Sequence, residues 1–373
     1  MTRLKIGIVG CGAIAQIQYL PLLQELRDEF AIWGLCDLSR SVMDRLGDEY
    51  GVPAARRFTD YHELVASDLD AVVVCNTGSH AGPTIAAATA GKHVLVEKPM
   101  ATTVAEAEAM VAAAEQSGVA LMVGYMKRHD PAYRYAAARV REMADVRFVQ
   151  VNHLHPDNRL HLAEFRLHRP DDLPPSSPEP IAAEETARIA AALGLPADAL
   201  PPEVRTAFFF VLYSMIHDIG NLSGLFGLPA RVVSTDLWQN GTGITTVLAY
   251  PAGFRAVASW VDLPDLQTFE ETLEVYGSRE RVIVTFPTGF SIGLPSTVTV
   301  HGMEEDGHPW RKDLSWHDNP FQLELLRLRE RIVNGTPLLT EGRDAVADIA
   351  LVRDIILAGI GGGLASRASV APA

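Results

Sequence analysis

Two residues in this chain are placed to do chemistry. The first is Lys98, in Val94-Leu95-Val96-Glu97-Lys98-Pro99-Met100, where an apolar run ends in an acid, a lysine and a proline. In an open α/β sheet, ligands sit in the crevice outside the carboxyl ends of the strands. An ammonium there binds or polarises a substrate oxygen, or loses its proton and acts as a base. Pro99 fixes the backbone that follows and biases Lys98 toward extended geometry. The second is His217, in Tyr213-Ser214-Met215-Ile216-His217-Asp218-Ile219. A histidine titrates near neutral pH, and with a lysine facing it would make an acid–base pair for a hydroxyl/carbonyl exchange. Tyr213 lies four residues earlier, which on a regular helix puts it on the same face. Taken singly, a lysine at a strand end is an ordinary surface residue and a helical histidine an ordinary core residue.

A cofactor pattern precedes both. Leu4 to Val9 reads as a buried strand, Gly10-Cys11-Gly12-Ala13-Ile14-Ala15 follows, and a helix runs on to about Arg27. G-x-G-x-x-A between strand and helix is the dinucleotide fingerprint in its required context. Gly10 permits the tight turn, Gly12 lets the backbone approach a pyrophosphate, and Ala15 lets helix and strand pack closely. The N–H groups of the helix start, around Ala13 and Ile14, then face the phosphates. The second strand, about Ala31 to Cys36, ends in Asp37. An acid at this spacing takes the adenosine ribose hydroxyls and repels a 2′-phosphate, which favours NAD. Arg40 keeps NADP open, because a nearby arginine holds such a phosphate. The plainer reading of Asp37 is a cap on the helix that begins near Ser39.

These residues need a sheet to position them. Strands near Arg57, at Ala71 to Cys75, at the Lys98 segment and at Leu121 to Val123 alternate with helices, which means a parallel, doubly wound sheet. The Asn76-Thr77-Gly78-Ser79-His80 loop falls at the same sheet edge as Gly12, so Asn76, Thr77 and His80 are expected to flank the cofactor together with Glu97 and Lys98. Thr103 opens a long helix as its cap. The segment Gly124 to Pro131 marks a domain joint, where Tyr125, Lys127 and Arg128 either reach a cleft or form a solvated loop.

Beyond Asp145 the pattern changes to runs of strands: Phe148 to Leu154, Arg231 to Leu237, Thr245 to Tyr250, Arg255 to Trp260, Thr272 to Tyr276 and Arg281 to Phe286. Strands joined by turns such as Asn240-Gly241 imply a large, mostly antiparallel sheet. The apolar helix Val204 to Phe226 supplies its cover. The expected division is a Rossmann domain over 1–125, a substrate and oligomerisation α/β domain over 126–361, and a flexible tail over 362–373. The Pro-rich stretch of about 156–202 reads as an insertion, either a lid over a cleft or an arm to another subunit. Helices Pro320 to Val333 and Gly342 to Ala358 are expected at the joint. His153, His155, His161 and His168 cluster in and before the insertion, but no cysteine or tight carboxylate set completes a ligand group, so no metal is expected.

Composition narrows the function. The chain has 373 residues, 48% of them hydrophobic, a net charge of -14 and a pI near 5.3. Such a charge disfavours nucleic acid and anionic membranes as partners. No apolar run is long enough for a bilayer span. Cys11, Cys36 and Cys75 lie in or beside apolar strands and read as buried thiols, which suits a reducing cytoplasm. The chain opens on a strand with no signal peptide before it, again a cytoplasmic expectation.

Taken together, four segments resemble the Gfo/Idh/MocA family: Gly7 to Ala15, Ala90 to Met100, Val123 to Arg128, and Ile216 to Ile219. The resemblance implies an N-terminal Rossmann domain and a C-terminal α/β domain whose open sheet often joins subunits, hence a homodimer or homotetramer. It implies hydride exchange between NAD or NADP and a hydroxyl or keto carbon of a sugar, cyclitol or related polyol. The family lysine matching Lys98 sits beside the reacting oxygen, and the histidine matching His217 is the acid–base residue. Many members carry an aspartate where this chain has Tyr213, so Tyr213 either donates a proton, binds substrate or packs. Tyr125, Lys127 and His153 complete the expected substrate contacts. Two other outcomes stay open: glycosidic cleavage by oxidation and elimination with the cofactor retained, and a non-catalytic cofactor-binding regulator.

Overall fold

The strand β1 (Leu4–Val9) is buried along almost its whole length, as expected of a parallel strand covered on both faces. The computed structural model describes residues 3–173 and 178–367. It divides into two units: Met1–Met126, His161–Arg188 and Phe321–Val346 form the first, and Lys127–Leu160, Ile189–Pro320 and Ala347–Ala373 the second.

In the first unit, β1 is followed by β2 (Phe30–Cys36), β3 (Arg57–Phe58), β4 (Ala71–Val74), β5 (His93–Glu97) and β6 (Leu121–Gly124). Every pairing is parallel and the spatial order is β3-β2-β1-β4-β5-β6. The order reverses between β1 and β4, and that switch point opens the ligand crevice of a doubly wound sheet. The connecting helices begin where sequence chemistry dictates. Ser39 caps Arg40–Glu49 by accepting from the Val42 N–H, and Thr103 and Glu106 form a reciprocal capping box on Val104–Ser117. The core joins Ile6, Ile8, Leu20, Leu23, Phe30 and Leu35 to Phe321, Leu325 and Leu328 of the helix Pro320–Asn334.

The second unit holds an eight-stranded sheet in the order β14-β13-β12-β11-β7-β10-β9-β8. Its strands are β7 (Phe148–His155), β8 (Arg231–Trp238), β9 (Gly243–Ala249), β10 (Arg255–Asp262), β11 (Glu270–Tyr276), β12 (Glu280–Phe286), β13 (Ser296–Met303) and β14 (Pro309–Trp316). All neighbours are antiparallel except β7 with β10. Burial alternates along β10, β12 and β13, which marks one packed and one open face. Residues 202–226 form a continuous helix with a π turn at Val211–Met215. The helix Pro131–Glu142 packs on β12 and β13, and the Tyr133 hydroxyl donates to the Asn221 carbonyl at 2.9 Å.

Several expectations are revised. Strands β13 and β14 extend the sheet beyond the six expected strands. Arg311, Lys312 and Asp313 interrupt the apolar pattern of β14, as charges do on an edge strand. The helix Pro320–Asn334 belongs to the first unit because its apolar face joins that core. Residues 161–188 of the insertion also count with the first unit, whereas the rest of it lies in the second. The last helix is Gly342–Arg367, so the expected tail is helical over 362–367 and otherwise lies outside the described residues. Tyr125, Lys127 and His129 are buried, so the Met126–His129 turn is not a solvated loop.

Candidate functional site

Within the first unit, the glycine turn is held by both neighbouring strands. Gly10 N–H donates to Cys36 O at 2.8 Å, and Cys75 Sγ donates to Gly10 O at 3.1 Å. Gly10 has φ +93°, and a Cβ on it would come within 2.4 Å of the Asn76 backbone nitrogen. Only glycine fits there. Gly12 differs: it is exposed, and a Cβ on it would meet nothing within 4 Å. The turn therefore leaves open space over Gly12, beside the helix start at Ala13 and Ile14.

Asp37 closes the turn from the β2 side. Its Oδ2 accepts from Cys11 N–H at 2.7 Å and its Oδ1 from Ser39 N–H at 2.9 Å. The helix cap is Ser39, so the capping reading of Asp37 does not hold. Arg40 is exposed and donates to Arg57 O at 2.9 Å. On the other side, Thr77 is exposed, and Asn76 Oδ1 is buried with no hydrogen-bond partner. A buried acceptor without a donor is the kind of group a ligand satisfies. The open space at Gly12, the acid at Asp37 and the Asn76 amide together fit a dinucleotide.

Lys98 is half-buried at the end of β5, next to β4. His80 ties the flanking loops together: Nδ1 lies 2.9 Å from Pro99 O and Nε2 2.9 Å from Asn76 O. Burial lowers its pKa. Beneath Lys98, Glu97 is buried, accepting from the Tyr19 hydroxyl at 2.6 Å and from Lys98 N–H at 3.0 Å. Burial raises the Glu97 pKa, and the Lys98 charge pulls it back. Glu324 is fully buried; burial, reinforced by the Glu97 charge, holds its pKa well above the carboxylate range. Burial likewise raises the thiols of Cys11 and Cys75 and pushes Cys36 up to about 12; all three are free.

The second unit carries a polar cluster inside its sheet–helix layer. The strand period puts Val149, Val151 and His153 on the buried face of β7. Register sets Glu271 of β11 and Trp260 of β10 opposite His153 on either side. His153 Nδ1 pairs with Asp218 Oδ2 at 2.8 Å, and Lys127 pairs its ammonium with Glu271 Oε2. The Ser214 hydroxyl accepts from Trp260 Nε1–H at 2.9 Å and lies 3.4 Å from His153 Nε2. Phe210, Trp260, His155 and Phe269 wall the cluster with stacked and edge contacts. Burial pushes the Asp218 carboxyl up to about 6 and also raises Glu271, while Lys127 lowers both.

The sequence reading missed Asp218 and Glu271. Alternation along β11 was the signal for Glu271, since Glu271, Leu273 and Val275 share one buried face. The side chains of His153, Asp218 and Glu271 offer ligand atoms within 4.8 Å of one another, a group able to hold a metal ion, yet Lys127 already brings a positive charge to it. His217 is buried at the start of Ile216–Phe226. The π turn shifts the helix phase, and the half-buried Tyr213 stacks on Phe209 with centroids 4.6 Å apart while Ser214 meets the cluster.

Residues 4–125 match the family model described as an oxidoreductase family with an NAD-binding Rossmann fold. The chain is 38% identical over 133 residues to an inositol 2-dehydrogenase of Paracoccus denitrificans, covering 35% of this chain and 39% of that protein. It is 39% identical over 172 residues to a 1,5-anhydro-D-fructose reductase of Ensifer adhaerens, covering 44% and 49%. The chain thus spans less than half the length of these curated relatives. Over nearly its whole length, its fold is that of an aldose–aldose oxidoreductase of Caulobacter crescentus, with TM-score 0.72, 22% identity, and 97% and 98% of the two chains covered. Among the described residues no helix is long and apolar enough to cross a membrane. Over residues 4–125 the chain is similar to the NAD-binding Rossmann domain of that oxidoreductase family.

Proposed function

We propose that this protein is a nicotinamide-dependent oxidoreductase acting on a ring hydroxyl or keto carbon of a sugar, cyclitol or related polyol. The observation that carries the reading is the first unit's own geometry: open space over Gly12 at the β1/β4 switch point, with Lys98 ending the next strand. Relatives named for inositol and for 1,5-anhydro-D-fructose support the substrate class. NAD is the expected cofactor because Asp37 directly follows β2, and when bound it supplies the hydride acceptor or donor.

The chain's own residues handle the substrate oxygen and its proton. Lys98 donates a hydrogen bond to the reacting oxygen and stabilises the charge that develops on it. His217 takes the hydroxyl proton in oxidation and returns it in reduction. Tyr213 orients substrate from the same helix. The open face of the eight-stranded sheet joins copies of the chain, which light scattering on a sizing column checks. A panel of cyclitols, aldoses and their keto derivatives, each with NAD and NADP, tests the activity through the absorbance of reduced nicotinamide. Turnover of a cyclitol or sugar supports the reading. Binding of cofactor without turnover across the panel would instead favour a regulator.

A further inference from the structure

The insertion does something the glycine turn and Asp37 leave undone. Residues 163–173 run without regular structure along the first unit and are fastened at four points. The Gln16 side chain, which donates to Cys11 O at 2.8 Å, also grips the strap backbone: it donates to His168 O at 3.0 Å and accepts from His168 N–H at 2.8 Å. His168 Nε2 lies 3.1 Å from Glu49 Oε2. Arg45 donates to Arg169 O at 3.2 Å and pairs with the Asp171 carboxylate. Finally, Asp172 takes the start of the helix Arg40–Glu49. It accepts from Ser39 Oγ at 2.5 Å, Ser41 N–H at 3.0 Å and Ser41 Oγ at 3.1 Å.

This corner is where adenosine specificity is read in a Rossmann sheet. The acid ending β2 takes the ribose 2′-hydroxyl, and small polar or basic residues just beyond it receive a 2′-phosphate when one is present. Here Asp37 holds Ser39 N–H at 2.9 Å, and Asp172 holds the Ser39 hydroxyl. Of the donors a 2′-phosphate needs, the Ser39 and Ser41 hydroxyls and the Ser41 N–H already serve a carboxylate of the chain itself. Arg40, the remaining cation of the corner, is turned to Arg57 O.

We infer that the strap is a second reader of the adenosine ribose, and that Asp172 is the specificity residue that excludes NADP by filling the 2′-phosphate position with its own negative charge. The inference rests on the nicotinamide reading above. A 2′-phosphate would have to displace Asp172 from three donors or sit beside it as a like charge, and also beside Asp37. An ordinary 2′-hydroxyl meets neither obstacle. The Ser39 and Ser41 hydrogen bonds hold the Asp172 pKa down at about 2, so the charge persists at every working pH.

Dissociation constants of NAD and NADP, measured by calorimetry on wild type and on the variants Asp172→Ala, Asp172→Asn and Asp37→Ala, test this. Wild type should bind NAD more tightly. Asp172→Ala should tighten NADP by about tenfold while leaving NAD within about threefold, because removing one like charge at short range is worth about that much. Asp172→Asn keeps the shape and the seat on Ser39 and Ser41 but loses the charge, and should also tighten NADP even if the alanine variant releases the strap. Asp37→Ala should instead weaken NAD itself. An NADP affinity unchanged in both Asp172 variants would overturn the inference while leaving the nicotinamide reading intact. A wild type that prefers NADP would also overturn it, and one that binds neither dinucleotide would overturn both readings.

Discussion

His153 on β7 and Asp218 on the helix Ile216–Phe226 are joined by a 2.8 Å contact between Nδ1 and Oδ2, both side chains almost fully buried. Through Glu271 and Lys127 this contact binds the helix of His217 to the middle of the sheet. Asp218→Ala removes one acid from a buried set of charges and leaves its partners exposed to that loss. It should cost about 3–5 kcal/mol of stability. Asp218→Asn keeps an acceptor for the imidazole and should cost about 1–2 kcal/mol. Urea unfolding midpoints decide it, and equal, small losses in both variants would show that the cluster does not tie helix to sheet.

Gly10 and Gly12 belong to one turn, yet substitution should affect them differently. A methyl group at Gly10 meets the Asn76 backbone and sits on a backbone of positive φ, so Gly10→Ala should lose about 3 kcal/mol or more. A methyl group at Gly12 meets nothing, so Gly12→Ala should keep the wild-type melting temperature and yet bind NAD more weakly. Thermal unfolding and NAD titration on the same samples separate the two. A Gly12 variant that binds NAD normally would place the pyrophosphate elsewhere.

Glu324 sets a pH dependence with a definite sign. Its pKa in the folded chain lies well above that of the unfolded chain, about 4.3. Between those values the native state holds a proton that the unfolded state releases, so this group's contribution to stability is present at low pH and is lost as pH rises. Glu97 adds to the same trend, since burial raises it too. Glu324→Gln removes the titration and should flatten the decline of stability as pH rises above the unfolded-chain value. Identical slopes for wild type and variant would mean that Glu324 is already ionised in the fold.

The proposed chemistry makes a separate demand. Lys98→Ala and His217→Ala should each lower turnover by about 10²–10⁴, typical of lost acid–base catalysis, with NAD affinity little changed. Tyr213→Phe keeps the stack on Phe209 and removes only the hydroxyl. A large fall in turnover would make Tyr213 a proton donor or substrate anchor, and near-wild-type rates would leave it as packing. Single-turnover hydride transfer is the measurement, and a fast His217→Ala variant would end the acid–base assignment.

What the sequence determined by itself was everything governed by local periodicity and turn chemistry. The apolar run of β1 ending in Gly10 and Gly12, the alternation of strands with helices through Leu121, and the change to successive strands beyond Phe148 each follow from the backbone's own preferences. The same logic located Lys98 at a strand end and His217 on a helix. Long-range packing decided the rest. Nothing near Glu271 in the chain states that register will set it opposite His153, or that Lys127, 144 residues away, will pair with it. The helix phase at Tyr213 depended on a π turn, which a regular period does not foresee. Nor did the prolines of the insertion reveal that Asp172 would seat on Ser39, 133 positions earlier, because that contact follows from the path of the folded chain across the first unit. Sequence spacing encodes which face a residue takes within its own element, whereas its partner is chosen only when elements distant in the chain pack and exclude water.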